Sequence, residues 1–167
     1  MVPMELVGVR IELPSNTPIV ILRVQDESDD ARMLPIFIGG PEATAIALAH
    51  EGVTPPRPMT HDLFAEALDA MDVRAERVVI TELRDRTFYA ELHLRSPDEA
   101  KVMSARPSDA IALAIRLGVP IFAEDELLDE VGYTDSPEPT EQDDEVVEEF
   151  KDFIDNVSPE DLSLIHI

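Results

Sequence analysis

Two stretches of the chain alternate apolar and polar residues with the period of two that is typical of half-buried β-strands. Each stretch contains two such runs joined by a short turn, and a third run follows each pair. The runs span residues 6–13, 19–24 and 33–38 in the first stretch, and 78–83, 88–94 and 100–103 in the second. The pattern predicts two antiparallel hairpins, each extended by one more strand.

An alanine-rich segment with helical periodicity follows each set of strands. Residues 41–53 and 107–119 both begin with proline, end with Gly-Val and contain Ala-Ile-Ala-Leu-Ala, whose register differs by one residue between them. Proline suits the first position of a helix and glycine the left-handed position that ends one. We therefore expect an α+β fold with a duplicated β-β-β-α unit, its helices packed on a mostly antiparallel sheet. Chance similarity between alanine-rich helices is the alternative to a true duplication.

A third helix is predicted between the two units, from His61 to about Asp72. It follows the proline-rich segment 54–60, and Thr60 is a suitable N-cap residue. Apolar residues recur at helical spacing and predict the buried face of this helix: Leu63, Phe64, Ala67, Leu68 and Met71.

The C-terminal part of the chain differs from the rest. We expect a domain over residues 1–132, followed by a disordered acidic linker over 133–145, which contains two prolines and no large apolar residue except Tyr133. Residues 146–161 predict a short amphipathic helical tail that docks on the domain, on a neighbouring subunit or on a partner. Residues 162–167 match one reading frame of a common sequencing adaptor, and we interpret them as an artefact.

Charge and composition exclude several classes of protein. The net charge is −23, and residues 133–167 hold 12 Asp and Glu against one Lys. This balance argues against a general nucleic-acid coat or a binder of anionic membranes, which need a basic face. The absence of cysteine excludes disulfides, thiolate zinc sites and cysteine nucleophiles. The start of the chain lacks the pattern of a signal peptide, so we expect a cytoplasmic protein.

Polar residues with possible chemistry lie where predicted helices begin. Gly39 and Gly40 precede one helix and could form an anion cradle with free backbone N–H groups. Glu42, in its first turn, could bind a cation or simply complement the helix dipole.

The other two predicted helix starts carry similar groups. His61 and Asp62 offer either a metal-ligand pair or an acid/base next to a carboxylate, or else form a solvated first turn. Arg106 could hold a phosphate, while Ser108 and Asp109 could cap the helix and Asp109 could pair with Arg106.

Three blocks of sequence together resemble the bifunctional nuclease family of bacteria and plants. They are LPIFIGGPEA at residues 34–43, RPMTHDL at 57–63 and SARPSDAIALA at 104–114, and the resemblance extends over about residues 4–131. The resemblance implies DNase and RNase activity, attributed to plant members of the family. The acidic tail is similar to that of actinobacterial members.

If this activity holds, a divalent cation, Mg²⁺ or Mn²⁺, is expected to neutralise substrate phosphates on so acidic a protein. The expected ligands are Glu42, Asp62 and Asp109, with His61 as a further ligand or general base. Substrate-binding residues are then Arg57 and Arg106, with Ser108, Gly39 and Gly40. We expect little sequence preference, with single-stranded or frayed DNA or RNA as the easier substrate.

The alternative is a non-enzymatic module. In that interpretation the repeated units form a homo-oligomer or a pocket for a small ligand, and the acidic tail docks on a basic protein partner. The tail could also regulate access by competing with nucleic acid.

Overall fold

A computed structural model describes residues 1–134 of the chain. The expected α+β class is confirmed, with eight strands and four helices in this part of the chain. The strands are β1 (Val2–Glu12), β2 (Thr17–Val24), β3 (Arg32–Phe37), β4 (Arg74–Arg84), β5 (Thr87–Arg95), β6 (Ala100–Ala105), β7 (Ile121–Ala123) and β8 (Tyr133–Thr134). The helices are α1 (Gly40–His50), α2 (Thr60–Ala70), α3 (Pro107–Leu117) and α4 (Asp125–Val131).

All eight strands belong to one sheet with the order β6-β5-β4-β7-β1-β2-β3-β8. The meanders β1-β2-β3 and β4-β5-β6 are antiparallel, and each is followed by an 11-residue helix, α1 or α3. The β-β-β-α order therefore occurs twice, as the sequence predicts. β7 joins the two halves, running antiparallel to β1 and parallel to β4.

The core lies between the sheet and the paired helices α1 and α3. These helices pack against each other, α1 also on β1 and β2 and α3 also on β4 and β5. Ile46 of α1 and Ile111 of α3 are completely buried, as are Leu22 and Ile80 of the sheet. The small alanines of both helices allow this close packing, because a short side chain keeps the helix backbone near its neighbours.

The predicted buried face of α2 is wrong. Leu68 is buried, but Leu63, Phe64, Ala67 and Met71 are exposed. The reason is that α2 packs against α3 instead of lying across the sheet. α3 therefore covers only a narrow strip of the surface of α2. The helix also begins one residue earlier than predicted, with Met59 in place of Thr60 as its N-cap.

The predicted domain boundary needs a small correction. Tyr133 and Thr134, assigned from sequence to the linker, form β8 and pair with Met33 and Arg32 of β3. The rest of the predicted linker, the predicted helical tail over 146–161 and residues 162–167 lie outside the described residues. Within residues 1–134, no helix is both long and apolar enough to span a bilayer.

Candidate functional site

The first turns of α1, α2 and α3 meet at one place. Arg106, the N-cap of α3, donates from Nη2 to Oε1 of Glu42 in α1 at 3.0 Å and from Nε to Oδ2 of Asp109 in α3 at 2.8 Å. His61 of α2 places its Nε2 2.8 Å from Oδ1 of the same Asp109. We call Glu42, His61, Arg106 and Asp109 the Arg106 cluster.

The helix starts lie close together although the strands that precede them are far apart in the sheet order. β3 and β5 are separated by four strands in the sheet order, yet Phe37 of β3 and Phe88 of β5 line the same cavity. The normal twist of a sheet, accumulated over several strands, produces such a meeting of distant strands. The helices that follow β3 and β6 therefore begin near each other.

Local sequence fixes the start of α1. Pro41 occupies one of its first positions, and Gly39 is its N-cap in an extended conformation. A Cβ atom on Gly39 would overlap Oε2 of Glu42, so glycine is needed for the carboxylate to lie where it does. The anion cradle predicted at Gly39 and Gly40 is thus covered at Gly39 by the molecule's own Glu42 carboxylate.

Asp109 links a cation and an imidazole. Burial raises the pKa of Asp109, but the hydrogen bonds from His61 and Arg106 outweigh burial, so its net pKa lies below the ordinary value. The carboxylate is therefore ionised at neutral pH and can accept hydrogen bonds but not donate them. Nε2 of His61 must carry a proton, and in the neutral ring Nδ1 is the basic nitrogen.

Arg106 is the accessible cation of the cluster. Its side chain is 66% exposed although it makes two ion pairs. Hydrogen bonds to Asp109 and then to Glu42 raise its pKa, so it stays charged. A planar guanidinium in this position can exchange one carboxylate for a phosphate oxygen, because both are recognised by the same fork of N–H donors.

Asp62, predicted to join Glu42 and Asp109, does not. Its Oδ1 accepts from Nε of Arg116 at 2.7 Å, and its Oδ2 accepts from the backbone N–H of Met59 at 2.9 Å. The hydrogen bond from Arg116, followed by that from Met59, lowers the pKa of Asp62. Both carboxylate oxygens therefore serve to fasten the start of α2.

Arg116 is not among the functional residues predicted from sequence. Its side chain is 10% exposed, and besides Asp62 it donates to the carbonyl oxygens of Ala45 in α1 and Ala112 in α3. It thus ties α1, α2 and α3 together on the side of the helices where Asp62 lies. The available signal was a basic residue in the last turn of a helix that is otherwise apolar beyond its first turn.

Of the two remaining predicted residues, Ser108 lies next to the cluster and Arg57 does not belong to it. Ser108 is buried and lines a cavity together with Gly39 and Arg106, next to the cluster. Arg57 is exposed in the segment between α1 and α2, outside the cluster.

The predicted metal site does not fit this geometry. No group of three His, Asp or Glu side chains within residues 1–134 is placed to hold a metal ion. Asp62 faces Arg116, and both oxygens of Asp109 are already hydrogen-bonded to His61 and Arg106. The positive ends of three helix dipoles also disfavour a cation here. The divalent cation stays a prediction from sequence.

Comparison with known proteins gives the family. The sequence model of the bifunctional nuclease domain family matches residues 20–136 of this chain. An uncharacterized protein of Mycobacterium tuberculosis is 44% identical over 161 residues, covering 93% of this chain and 94% of that protein. Bifunctional nuclease 2 of rice, Oryza sativa subsp. japonica, is 31% identical over 117 residues, which cover 68% of this chain but 35% of the plant protein. The sequence blocks that carry Glu42, His61, Arg106 and Asp109 all lie inside the matched range, and the chain belongs to the bifunctional nuclease domain family.

Proposed function

We propose that the protein cleaves phosphodiester bonds of DNA and RNA at the Arg106 cluster. The observation that carries the proposal is the meeting of three helix N-termini around an accessible guanidinium and a histidine–carboxylate pair. Helix N-termini carry partial positive charge and favour a bound phosphate. They supply locally the attraction for a polyanion that a chain of net charge −23 does not supply globally.

The residues have distinct roles in this mechanism. Arg106 binds a non-bridging phosphate oxygen and stabilises the charge that develops on it. His61 accepts a proton at Nδ1 from the attacking water, while Asp109 holds the ring through Nε2. The water oxygen forms a bond to phosphorus, the bond from phosphorus to the leaving sugar oxygen breaks, and that oxygen takes a proton from solvent.

The first test is a comparison of two histidine variants. Removal of a general base typically lowers a rate by 10²- to 10⁴-fold, so His61→Ala should lower cleavage of single-stranded DNA and RNA by at least ~100-fold. His93→Ala is the matched control. Nε2 of His93 in β5 lies 3.0 Å from Oε2 of Glu91, so this histidine makes a similar pair, but it is not part of the cluster. We expect the control to cleave at the wild-type rate, and cleavage should co-elute with the protein. If His61→Ala and wild type cleaved at equal rates, the activity would come from a contaminating nuclease.

The same assay with a chelator addresses metal dependence. We expect cleavage to survive, because the described carboxylates of the cluster are bonded to Arg106 and His61 and face three positive helix ends. Loss of cleavage would contradict the mechanism above and would instead support the Mg²⁺ or Mn²⁺ requirement predicted from sequence.

One observation favours the second candidate, an oligomeric module. β6 pairs with β5 on one side and, among residues 1–134, with no strand on the other, and Val102 and Met103 on its two faces are exposed. An open edge of this kind can pair with a second copy of the chain. A protein that sediments as an oligomer and shows no cleavage co-eluting with it would favour this function.

A further inference from the structure

A cavity of about 430 Å³ opens beside the Arg106 cluster, between α2, α3 and the strands β5 and β6. We call it the Phe64 cavity, after the aromatic side chain that α2 contributes to it. Its large apolar lining residues are Phe64, Leu92, Met103 and Leu113. Its volume lies in the range of sites that bind small molecules, which are mostly apolar with a few polar groups at defined places.

Reactive groups of the proposed site belong to the same cavity. His61, Arg106 and Asp109 line it together with the apolar side chains. A phosphodiester held by Arg106 therefore has its attached nucleoside at the cavity. The hydroxyl-bearing residues Thr60 and Ser104 also line it and can bond the polar edge of a base.

Phe64 itself is 40% exposed, and Met103 is exposed as well. Covering large apolar side chains at the opening of a cavity is energetically favourable, because it removes their surface from water. A flat nucleobase can cover both, because bases stack on aromatic rings and the methionine thioether adapts to an aromatic face. Bases within a duplex are already stacked and paired, so an unpaired base fits this description.

A second cavity, of about 380 Å³, repeats the arrangement. It is lined by Phe37, Phe88 and Arg86, and Arg106 is the residue that lines both cavities. A strand that passes over Arg106 would thus meet aromatic side chains on either side of the bound phosphate. Single-stranded nucleic acid is commonly bound by this combination of cationic groups and stacking surfaces.

We propose that the Phe64 cavity binds one unpaired nucleobase next to the phosphate held by Arg106, so that Phe64 is a substrate-binding residue. The proposal rests on the proposed function for the position of the phosphate. It adds that the protein recognises the base itself, in addition to the backbone charge.

The test compares two fluorescein-labelled probes by anisotropy: an oligothymidylate, and an abasic strand with the same number of phosphates. The full chain should bind the oligothymidylate about tenfold more tightly, which is the order of loss expected when a stacked base is removed. Phe64→Ala should lower that preference to about twofold or less while leaving affinity for the abasic strand unchanged. Both probes carry phosphorothioate linkages, which resist hydrolysis, and gel analysis after each titration checks that they are intact.

Leu63→Ala is the matched control, because Leu63 is the neighbouring residue of α2, is 58% exposed and does not line the cavity. It should keep the full preference, and Phe64→Tyr should keep most of it because the ring remains. Equal binding of both probes by wild type, an undiminished preference in Phe64→Ala, or no binding of either probe would overturn the proposal.

The binding readout does not depend on cleavage. A base preference that disappears in Phe64→Ala, in a protein that cleaves nothing, would support the cavity while the proposed hydrolysis fails. Cleavage that depends on His61 but comes with equal binding of both probes would overturn the base site alone.

Discussion

Asp109 occupies the central position of the site because each of its oxygens bonds a different partner. Oδ1 faces His61 and Oδ2 faces Arg106. An ionised carboxylate fixes the imidazole with its proton on Nε2, so the opposite ring nitrogen is the one available as a base. Asp109 is therefore a positioning residue, which acts on the substrate through His61.

Substitution of Asp109 tests this role. In Asp109→Asn the amide no longer imposes one tautomer on His61, and we expect kcat to fall by at least ~100-fold and up to about 10⁴-fold, as when an amide replaces the carboxylate that orients a catalytic imidazole. KM should not rise, because Arg106 keeps its guanidinium for the phosphate.

Steady-state kinetics and a thermal unfolding curve of Asp109→Asn provide the measurement. A rise in KM with unchanged kcat would show that Asp109 acts on substrate binding and not on His61. A large fall in the unfolding temperature would indicate a structural role instead.

The individual residues show what sequence can and cannot predict. The sequence indicates Glu42, His61, Arg106 and Asp109 as candidates because polar residues at helix starts stand out from the apolar pattern around them, and the structure brings these four side chains into contact. Asp62, adjacent to His61, was assigned to the same site but bonds Arg116. Neighbours on a helix face different directions, and which direction meets which partner depends on tertiary packing.

The docking of α2 on α3 combines a partly buried ion pair with apolar contact. Arg116 and Asp62 are 2.7 Å apart, and Leu68 is the buried apolar side chain of α2. Loss of the Asp62 carboxylate would leave the mostly covered guanidinium of Arg116 with its two carbonyl partners but without its counter-charge, which costs stability.

We therefore expect Asp62→Asn to lower the free energy of unfolding by about 1–2 kcal/mol at neutral pH, between the values typical of exposed and of buried pairs. Asp129→Asn is the control, because Asp129 pairs with Arg32 while 75% exposed, and such surface pairs contribute well under about 1 kcal/mol. Urea denaturation of the three proteins measures the differences. Equal stabilities of Asp62→Asn and wild type would show that the pair does not fasten α2.

The difference in the free energy of unfolding between wild type and Asp62→Asn should depend on pH in a definite direction. The pKa of Asp62 is lower in the folded protein than its ordinary value near 4, chiefly because of Arg116. The stabilisation is therefore fully present above about pH 4 and is lost as the pH falls through the lower folded-state pKa. The stability gap between wild type and Asp62→Asn should narrow in that acidic range.

The long elements were predictable and the short ones were not. Alternation and proline-to-glycine helix boundaries indicate β1 to β6, α1 and α3 locally. β7 has three residues, and its strand conformation comes from pairing with β1 and β4, far away in the chain. The exposed side of α2 was mistaken for a core face because periodicity shows that a helix has an apolar side without showing what covers it.

The whole chain presents an electrostatic problem to any polyanionic substrate. Its net charge of −23 repels nucleic acid at long range, so binding depends on a local positive region. Three helix N-termini and the guanidinium of Arg106 provide that region within the described residues. We expect a substrate phosphate to bind there, in place of one of the carboxylates to which Arg106 is hydrogen-bonded.

The most direct measurement is the cleavage rate of Arg106→Ala on single-stranded nucleic acid, compared with Arg32→Ala. Arg32 also pairs with a carboxylate, Asp129, but outside the Arg106 cluster, so its variant controls for the loss of one surface arginine. We expect Arg106→Ala to lose about 10²- to 10³-fold in rate, as when a group that stabilises transition-state charge is removed, and Arg32→Ala to match wild type. If folded Arg106→Ala cleaved at the wild-type rate, that result would contradict the binding of the substrate phosphate by Arg106.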